Sequence, residues 1–315
     1  MLISDYLNNP KLKLIEQLAI EDKDNFTAHR NAAAELLFGK GVHKRMWSNA
    51  KILREGVLAD PALNKQGLHL FRYAFSTYAA MHRSNHPEFL NNGHVRVNNF
   101  LPTDKHLLVQ SECNTFPICI NKQGFNNCHR HSNANPGIEY LLNTSGMEKI
   151  ITDCLGIDTP ETTALYKKNT FVQRVENIPN DGDEQKDIHS DIFFPAAKWW
   201  YFPDKVELGD GPFRFQTSAP KYDHLFWDWL YRESVDITAG SWDQDKRRGH
   251  IEGSFRVTQQ ELLDMNVTVS PITVEANTLV VANVQLFHGR GDSTRAHVRN
   301  AIHGSIRVKF PFLVL

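Results

Sequence analysis

His189-Ser190-Asp191, with His288 far downstream and Arg299 beyond it, sets two imidazoles, a carboxylate and a guanidinium at spacings that could do chemistry. In an extended segment alternate side chains share a face, so His189 and Asp191 point the same way. A second histidine from another strand completes two nitrogen donors and one oxygen donor. That set holds ferrous iron on one face and leaves positions open for a substrate and dioxygen. An arginine shortly after the second histidine supplies the fork that a carboxylate-bearing cosubstrate needs. Iron-dependent oxygenation is the chemistry these residues would support. The chain has 15 histidines, so the weight rests on the surroundings rather than on the His-x-Asp pair alone.

Those surroundings are strand-like. Residues 188–195 read as extended, and residues 278–289 form a β-branched, apolar run that reaches His288, where a ligand at a barrel mouth would sit. A turn is expected at Gly289-Arg290-Gly291-Asp292, followed by a second extended run over 298–312 that carries Arg299. Strand, ligand, turn and arginine-bearing strand agree with one another.

At this point the sequence resembles a known family. His189-Ser190-Asp191, His288-Gly289-Arg290-Gly291 and Arg299-Asn300-Ala301-Ile302 are similar to motifs of the phytanoyl-CoA dioxygenase family of Fe(II)/2-oxoglutarate oxygenases. Trp200 leading to Gly211-Pro212-Phe213 resembles that family's strand running into a turn. The resemblance covers roughly residues 165–315. Where the family carries a Pro-Gly-Ser-His run, this chain reads Gln216-Thr217-Ser218-Ala219-Pro220-Lys221, and no substrate identity is carried over.

The resemblance implies His189, Asp191 and His288 as catalytic metal ligands for Fe(II), with 2-oxoglutarate as cosubstrate and its far carboxylate on Arg299. Trp200 and Gln173 occupy positions that would line the cosubstrate pocket. The implied activity is a dioxygenase that hydroxylates, desaturates or cyclises a small molecule, turning 2-oxoglutarate and O2 into succinate and CO2. Halogenation is disfavoured because Asp191 keeps the carboxylate that halogenases of this superfamily replace. On the Arg299 strand, period two brings Ala301, His303 and Ser305 to the arginine's face and sends Ile302, Ile306 and Val308 to the other.

The elements that must position these residues change character along the chain. The first 90 residues show apolar positions at helical spacing, residues 95–116 are mixed and could supply outer strands, and 121–135 reads as a long loop. Helices are expected from Pro136 through Leu142 and near 147–154. From 164 onwards eight short strands follow without crossover helices, at about 170–175, 189–194, 198–202, 211–216, 255–259, 267–274, 279–287 and 301–308. That pattern predicts a mainly β fold with α, a double-stranded β-helix (jelly roll, cupin-like). Two parts are expected: a helical N-terminal extension over 1–160, and an oxygenase core over 161–315. The core would carry an aromatic, lid-like insert at about 222–264.

With 41% hydrophobic and 23% charged residues, the composition is that of an ordinary globular chain. A net charge of -1 gives no general attraction to nucleic acid or to an anionic membrane, so neither is an expected partner. No apolar run approaches the roughly 20 residues of a membrane helix. Met1-Leu2-Ile3-Ser4-Asp5 lacks the features of a secretion signal, and a cytoplasmic setting is expected. Cys119, Cys128, His129 and His131 match no zinc-finger spacing. Arg214, Lys221, His224 and Arg290 could bring positive charge to the mouth of the site. The oligomeric state is left open. A cupin-type metal isomerase, or a binding protein on the same fold, uses the same ligands without 2-oxoglutarate, and Arg299 is the residue that separates those readings from the oxygenase.

Overall fold

The structure is a computed structural model that describes residues 84–120, 129, 134–156, 170–179, 184–191, 196–217, 225–226, 229 and 255–307. The helices expected in the first 83 residues, most of the 121–135 loop and most of the aromatic insert lie outside the described residues, as do Lys221 and His224.

Eleven strands are described: β1 His94–Val97, β2 Cys119–Ile120, β3 Thr170–Asn177, β4 His189–Ser190, β5 Ala196–Phe202, β6 Phe213–Gln216, β7 Phe255–Arg256, β8 Val269–Ile272, β9 Thr278–Asn283, β10 His288–Arg290 and β11 His297–Arg307. They form two sheets, one ordered β1-β9-β5-β11-β3-β2 and the other β7-β4-β10-β6-β8. Apart from the parallel β2–β3 pair, all pairings are antiparallel. From β3 to β6 the chain alternates between the sheets strand by strand, and from β8 to β11 it does so again. This is the winding of a double-stranded β-helix, the fold class expected from the sequence.

Helices α1 Pro87–Asn92, α2 Thr103–Thr115, α3 Pro136–Asn143, α4 Ser145–Leu155 and α5 Gln259–Asp264, with a 3-10 turn at Glu184–Lys186, complete the described elements. Among the described residues, no helix is long and apolar enough to cross a membrane. Val109, Cys113, Ile138, Leu141, Leu142, Met147 and Ile151 from α2–α4 form one buried cluster with Trp199, Tyr201, Leu279, Val281, Ile302 and Ile306 of the first sheet. Period two assigns those strand residues to the outer face. The inner face takes Trp200, Phe202, Val280 and Ala301, which cluster separately.

Close approach across the outer layer depends on Gly304. A Cβ there would lie 2.8 Å from the Trp199 indole, so glycine makes room for that ring. Between the helices, Glu112 of α2 is buried and accepts hydrogen bonds from the amides of Gly137 (2.7 Å) and Ile138 (2.9 Å). It caps α3 from outside, where the N-cap residue Asn135 makes no side-chain capping bond.

Two expectations are corrected. Residues 103–115 form a helix rather than outer strands; its buried positions are Val109, Glu112 and Cys113, and with a charged residue among them the apolar stripe is too thin to read. The run over 279–287 is not one strand. β9 stops at Asn283, whose Oδ1 accepts from the Gln285 amide at 3.0 Å, and the chain turns there into the second sheet. As a result Gly289 and Arg290 belong to β10 rather than to a turn.

Candidate metal centre

The crossover from β9 to β10 holds the candidate site together. The Asp191 amide donates to the Val284 carbonyl (3.0 Å), Ser190 Oγ to the Gln285 carbonyl (2.9 Å), and the Gln216 amide to the Phe287 carbonyl (2.9 Å). On either side of this turn, β10 pairs with β4 so that His288 lies directly opposite His189. Their ring centroids are 4.5 Å apart. Asp191, one residue past β4, faces both: its Oδ1 lies 3.6 Å from His189 Nε2 and its Oδ2 3.7 Å from His288 Nε2. All three ligand atoms fall within 4.8 Å of one another.

Hydrogen bonds fix which nitrogen of each ring faces inward. His189 Nδ1 lies 2.7 Å from the Asp187 carbonyl and His288 Nδ1 lies 2.9 Å from the Leu286 carbonyl. A carbonyl oxygen can only accept, so each Nδ1 carries the hydrogen and each Nε2 presents a lone pair. His288 Nε2 is buried without a hydrogen-bond partner. Two imidazole lone pairs turned towards an ionised carboxylate repel one another unless a cation sits among them, and the residues therefore fit a divalent metal.

The protonation states agree with that fit. Burial holds His189 well below the ordinary imidazole value, reinforced by His288 and Arg256 and opposed by Asp191. For Asp191 burial acts the other way, but Lys198, His288 and His189 outweigh it and keep the carboxyl well below the usual range. Lys198 of β5 makes an ion pair with Asp191 Oδ2. No signal local to Lys198 could have found this contact, because it depends on β5 lying between β9 and β11.

One cavity of about 600 Å³, its open mouth included, is lined by His189, His288, Gln173, Trp200 and Arg299, by Arg290 and His303, which the sequence places at the mouth and on the Arg299 face, and by Lys198, which it does not mark. Gln173 and Arg299 are buried. Trp200 packs on Phe213 with centroids 4.6 Å apart, and Phe213 in turn lies 5.8 Å from the His288 ring. Burial pushes His303 down to about 3, with Lys198, Arg290 and Arg299 adding to the effect.

Arg299 is held by a built turn. Its Nη1 donates to the Gly211 carbonyl. Gly211 adopts a φ of 69°, which glycine takes without strain. The preceding Asp210 is locked by Arg295 Nε at 2.7 Å, by the Glu207 amide at 2.9 Å, and through its carbonyl by Asn177 Nδ2 at 2.9 Å. Arg214, offered from the sequence as a mouth cation, instead donates to the carbonyls of Lys186 and Arg290. It alternates on β6 with Phe213, which lines the cavity, and so faces away.

No family model matches the chain, and no curated protein matches it. Among solved structures, it is similar to HygX from Streptomyces hygroscopicus with iron bound, at TM-score 0.42 and 12% identity over 70% of this chain and 85% of that one. AviO1 from Streptomyces viridochromogenes Tue57 gives TM-score 0.40 and 11% identity over 70% and 92%. The epimerase SnoN in complex with Fe3+, alpha ketoglutarate and nogalamycin RO gives TM-score 0.44 and 13% identity over 78% and 84%. At these identities and scores the likeness is loose, and what the site can do follows from its own residues.

Proposed function

We propose that the chain is a non-haem iron, 2-oxoglutarate-dependent dioxygenase acting on a small molecule, related to the phytanoyl-CoA dioxygenase family. The observation that carries this reading is that a single cavity is lined by the paired imidazoles of His189 and His288, beside Asp191, and by the buried guanidinium of Arg299. An isomerase or a plain metal-binding protein has no need of that arginine.

In this reading His189, Asp191 and His288 hold Fe(II), and Lys198 fixes the rotation of the Asp191 carboxylate from the side. Arg299, kept in place by the Gly211 carbonyl, takes the far carboxylate of 2-oxoglutarate. Gln173 supplies a neutral hydrogen-bonding group to the same pocket, while Trp200 and Phe213 form an apolar wall that excludes water. Iron and 2-oxoglutarate bound there supply the oxidation of a substrate C–H bond by O2, with succinate and CO2 as coproducts. In this reading the oxygenase core spans residues 161–315, and the described helices α2–α4 of the 1–160 part pack on its first sheet.

Oxygen-dependent release of succinate from 2-oxoglutarate by the iron-loaded protein, measured against a panel of small molecules, tests this reading. Succinate formation that one substrate class stimulates and that Arg299→Gln abolishes is expected. Iron retained in full with no consumption of 2-oxoglutarate under any condition would point to the redox-neutral isomerase instead.

A further inference from the structure

Lys198 grips a candidate metal ligand and still faces the cavity. Its Nζ makes an ion pair with Asp191 Oδ2, the oxygen turned towards His288. That contact does not seal the ammonium in. The Lys198 side chain is 30% exposed, against 15% for Asp191 and 5% for His189, and it lines the cavity. Its neighbours across both ladders, Ala282 of β9 and Ser305 of β11, share its face of the sheet. Both are small, and neither is long enough to cover the ammonium.

Lys198 and Arg299 stand at opposite ends of this face. Along β11 the inward residues are Ser305, His303, Ala301 and Arg299, and along β5 they are Lys198, Trp200 and Phe202. Lys198 lies level with Ser305 and Trp200 with His303. Six strand positions, a backbone rise of roughly 20 Å, therefore separate the level of Lys198 from that of Arg299. Trp200 and His303 stand between them. An anion held at Lys198 is thus a different group from the carboxylate held at Arg299.

The chemistry of Lys198 calls for such an anion. An ammonium has three N–H donors and no acceptor, and the pair with Asp191 occupies one face of it. Among the described residues, Asp191 is its acidic partner. Once Asp191 serves a divalent metal, its charge is shared, and the neighbouring ammonium is left undercompensated in a site of low dielectric. A second anion restores the balance. A point charge on a flexible stem accepts either a carboxylate or a phosphate oxygen.

We propose that Lys198 anchors an anionic oxygen group, carboxylate or phosphate, of the molecule to be oxidised. It is then a specificity-determining residue that selects anionic substrates and seats them beside the metal. This inference rests on the reading of His189, Asp191 and His288 as metal ligands and of Arg299 as the anchor of 2-oxoglutarate.

Proton NMR of small ligands, added to the cobalt(II)-loaded protein saturated with 2-oxoglutarate, tests it, because the metal broadens the signals of whatever binds next to it. Acetate and benzoate are compared with acetamide and benzamide, and methyl phosphate serves as the phosphate probe. The wild type is expected to broaden at least one of the three anions saturably and neither amide. Lys198→Met and Lys198→Gln should weaken that binding by about tenfold or more, while Lys198→Arg keeps most of it. All three variants should retain cobalt, since the three ligands are unchanged, and the visible spectrum of the bound cobalt shows that they fold.

Anion binding that both neutral variants retain in full would place the anion on the metal or on another cation and overturn the anchor. Equal binding of acids and amides by the wild type, or binding of no anion, would overturn it as well. Loss of cobalt from both neutral variants, with Lys198→Arg keeping it, would confine Lys198 to holding Asp191 and count against the anchor. Failure of the cobalt-loaded wild type to bind 2-oxoglutarate is a separate result, which would bring down the cosubstrate reading and this inference with it.

Discussion

The two faces of the first sheet are built from the same strands and do opposite things. On β5, Trp199 and Tyr201 point outward and are buried against the helices, while Lys198, Trp200 and Phe202 point inward and line the cavity. On β11, Ile302 and Ile306 pack outward, while Arg299 and His303 face in. Period two sorts the residues, and burial acts on both sides with different consequences. Outward it removes apolar surface from water and stabilises the fold. Inward it gathers two cations, Lys198 and Arg299, and a histidine that it keeps neutral, which costs stability and leaves a site able to hold anions and a metal. The difference teaches that stability and function are separable here residue by residue along a single strand.

The most forceful way to break that comparison is at Trp199. Trp199→Ala empties the outer layer over Gly304 and is expected to cost about 3–5 kcal/mol in denaturant unfolding. Metal affinity of the folded fraction should stay at the wild-type level. A Trp199→Ala protein that unfolds as the wild type does but no longer binds metal would show that the faces are coupled.

The converse experiment is His288→Ala. Loss of one of three ligands should lower divalent metal affinity by more than about a hundredfold, beyond the range seen for outer-sphere partners. Unfolding of the metal-free protein should change by about 1–3 kcal/mol, the loss of a buried ring and of its Nδ1 bond to the Leu286 carbonyl.

His303 sharpens the contrast through pH. Its folded value of about 3 lies below its ordinary 6.5, so the unfolded chain binds a proton that the fold refuses. The corresponding stability is fully present above pH 6.5 and is lost as pH falls from there towards 3. In the metal-free protein, His303→Gln should make the loss between about pH 7 and pH 5 shallower, by at most about 2 kcal/mol. His189 is depressed in the same direction, so the variant keeps part of the slope. A slope identical to the wild type would remove His303 from the account.

The smallest expected effect is at Glu112, outside both faces. Glu112→Ala uncaps α3 and should cost about 1–2 kcal/mol, with no change in metal or 2-oxoglutarate affinity.

What could be read from the sequence followed from locality. His-x-Asp, the second histidine and Arg299 are visible because alternation fixes a face within a strand, whatever the strand pairs with. Gln173 and Trp200 came from resemblance, and both line the cavity. Lys198 was hidden because its contact with Asp191 depends on which strands flank β5. The break at Asn283 is hidden because an apolar run reads as one strand, whereas the crossing is marked by hydrogen bonds from the Gln285 and Leu286 amides to Asn283. Arg214 was offered as a mouth cation on charge alone, whereas its neighbour Phe213 takes the inward position. The helix over 103–115 escaped because a carboxylate, Glu112, fills one of its few buried positions.

Anaerobic addition of Fe(II) and then 2-oxoglutarate, followed in the visible spectrum, tests the central claim most directly. A weak charge-transfer band that forms in the wild type, is absent in His288→Ala, and in Arg299→Gln needs far more 2-oxoglutarate to appear, is the predicted result. Iron bound by His189, Asp191 and His288 without any band, or a band that Arg299→Gln leaves untouched, would contradict it.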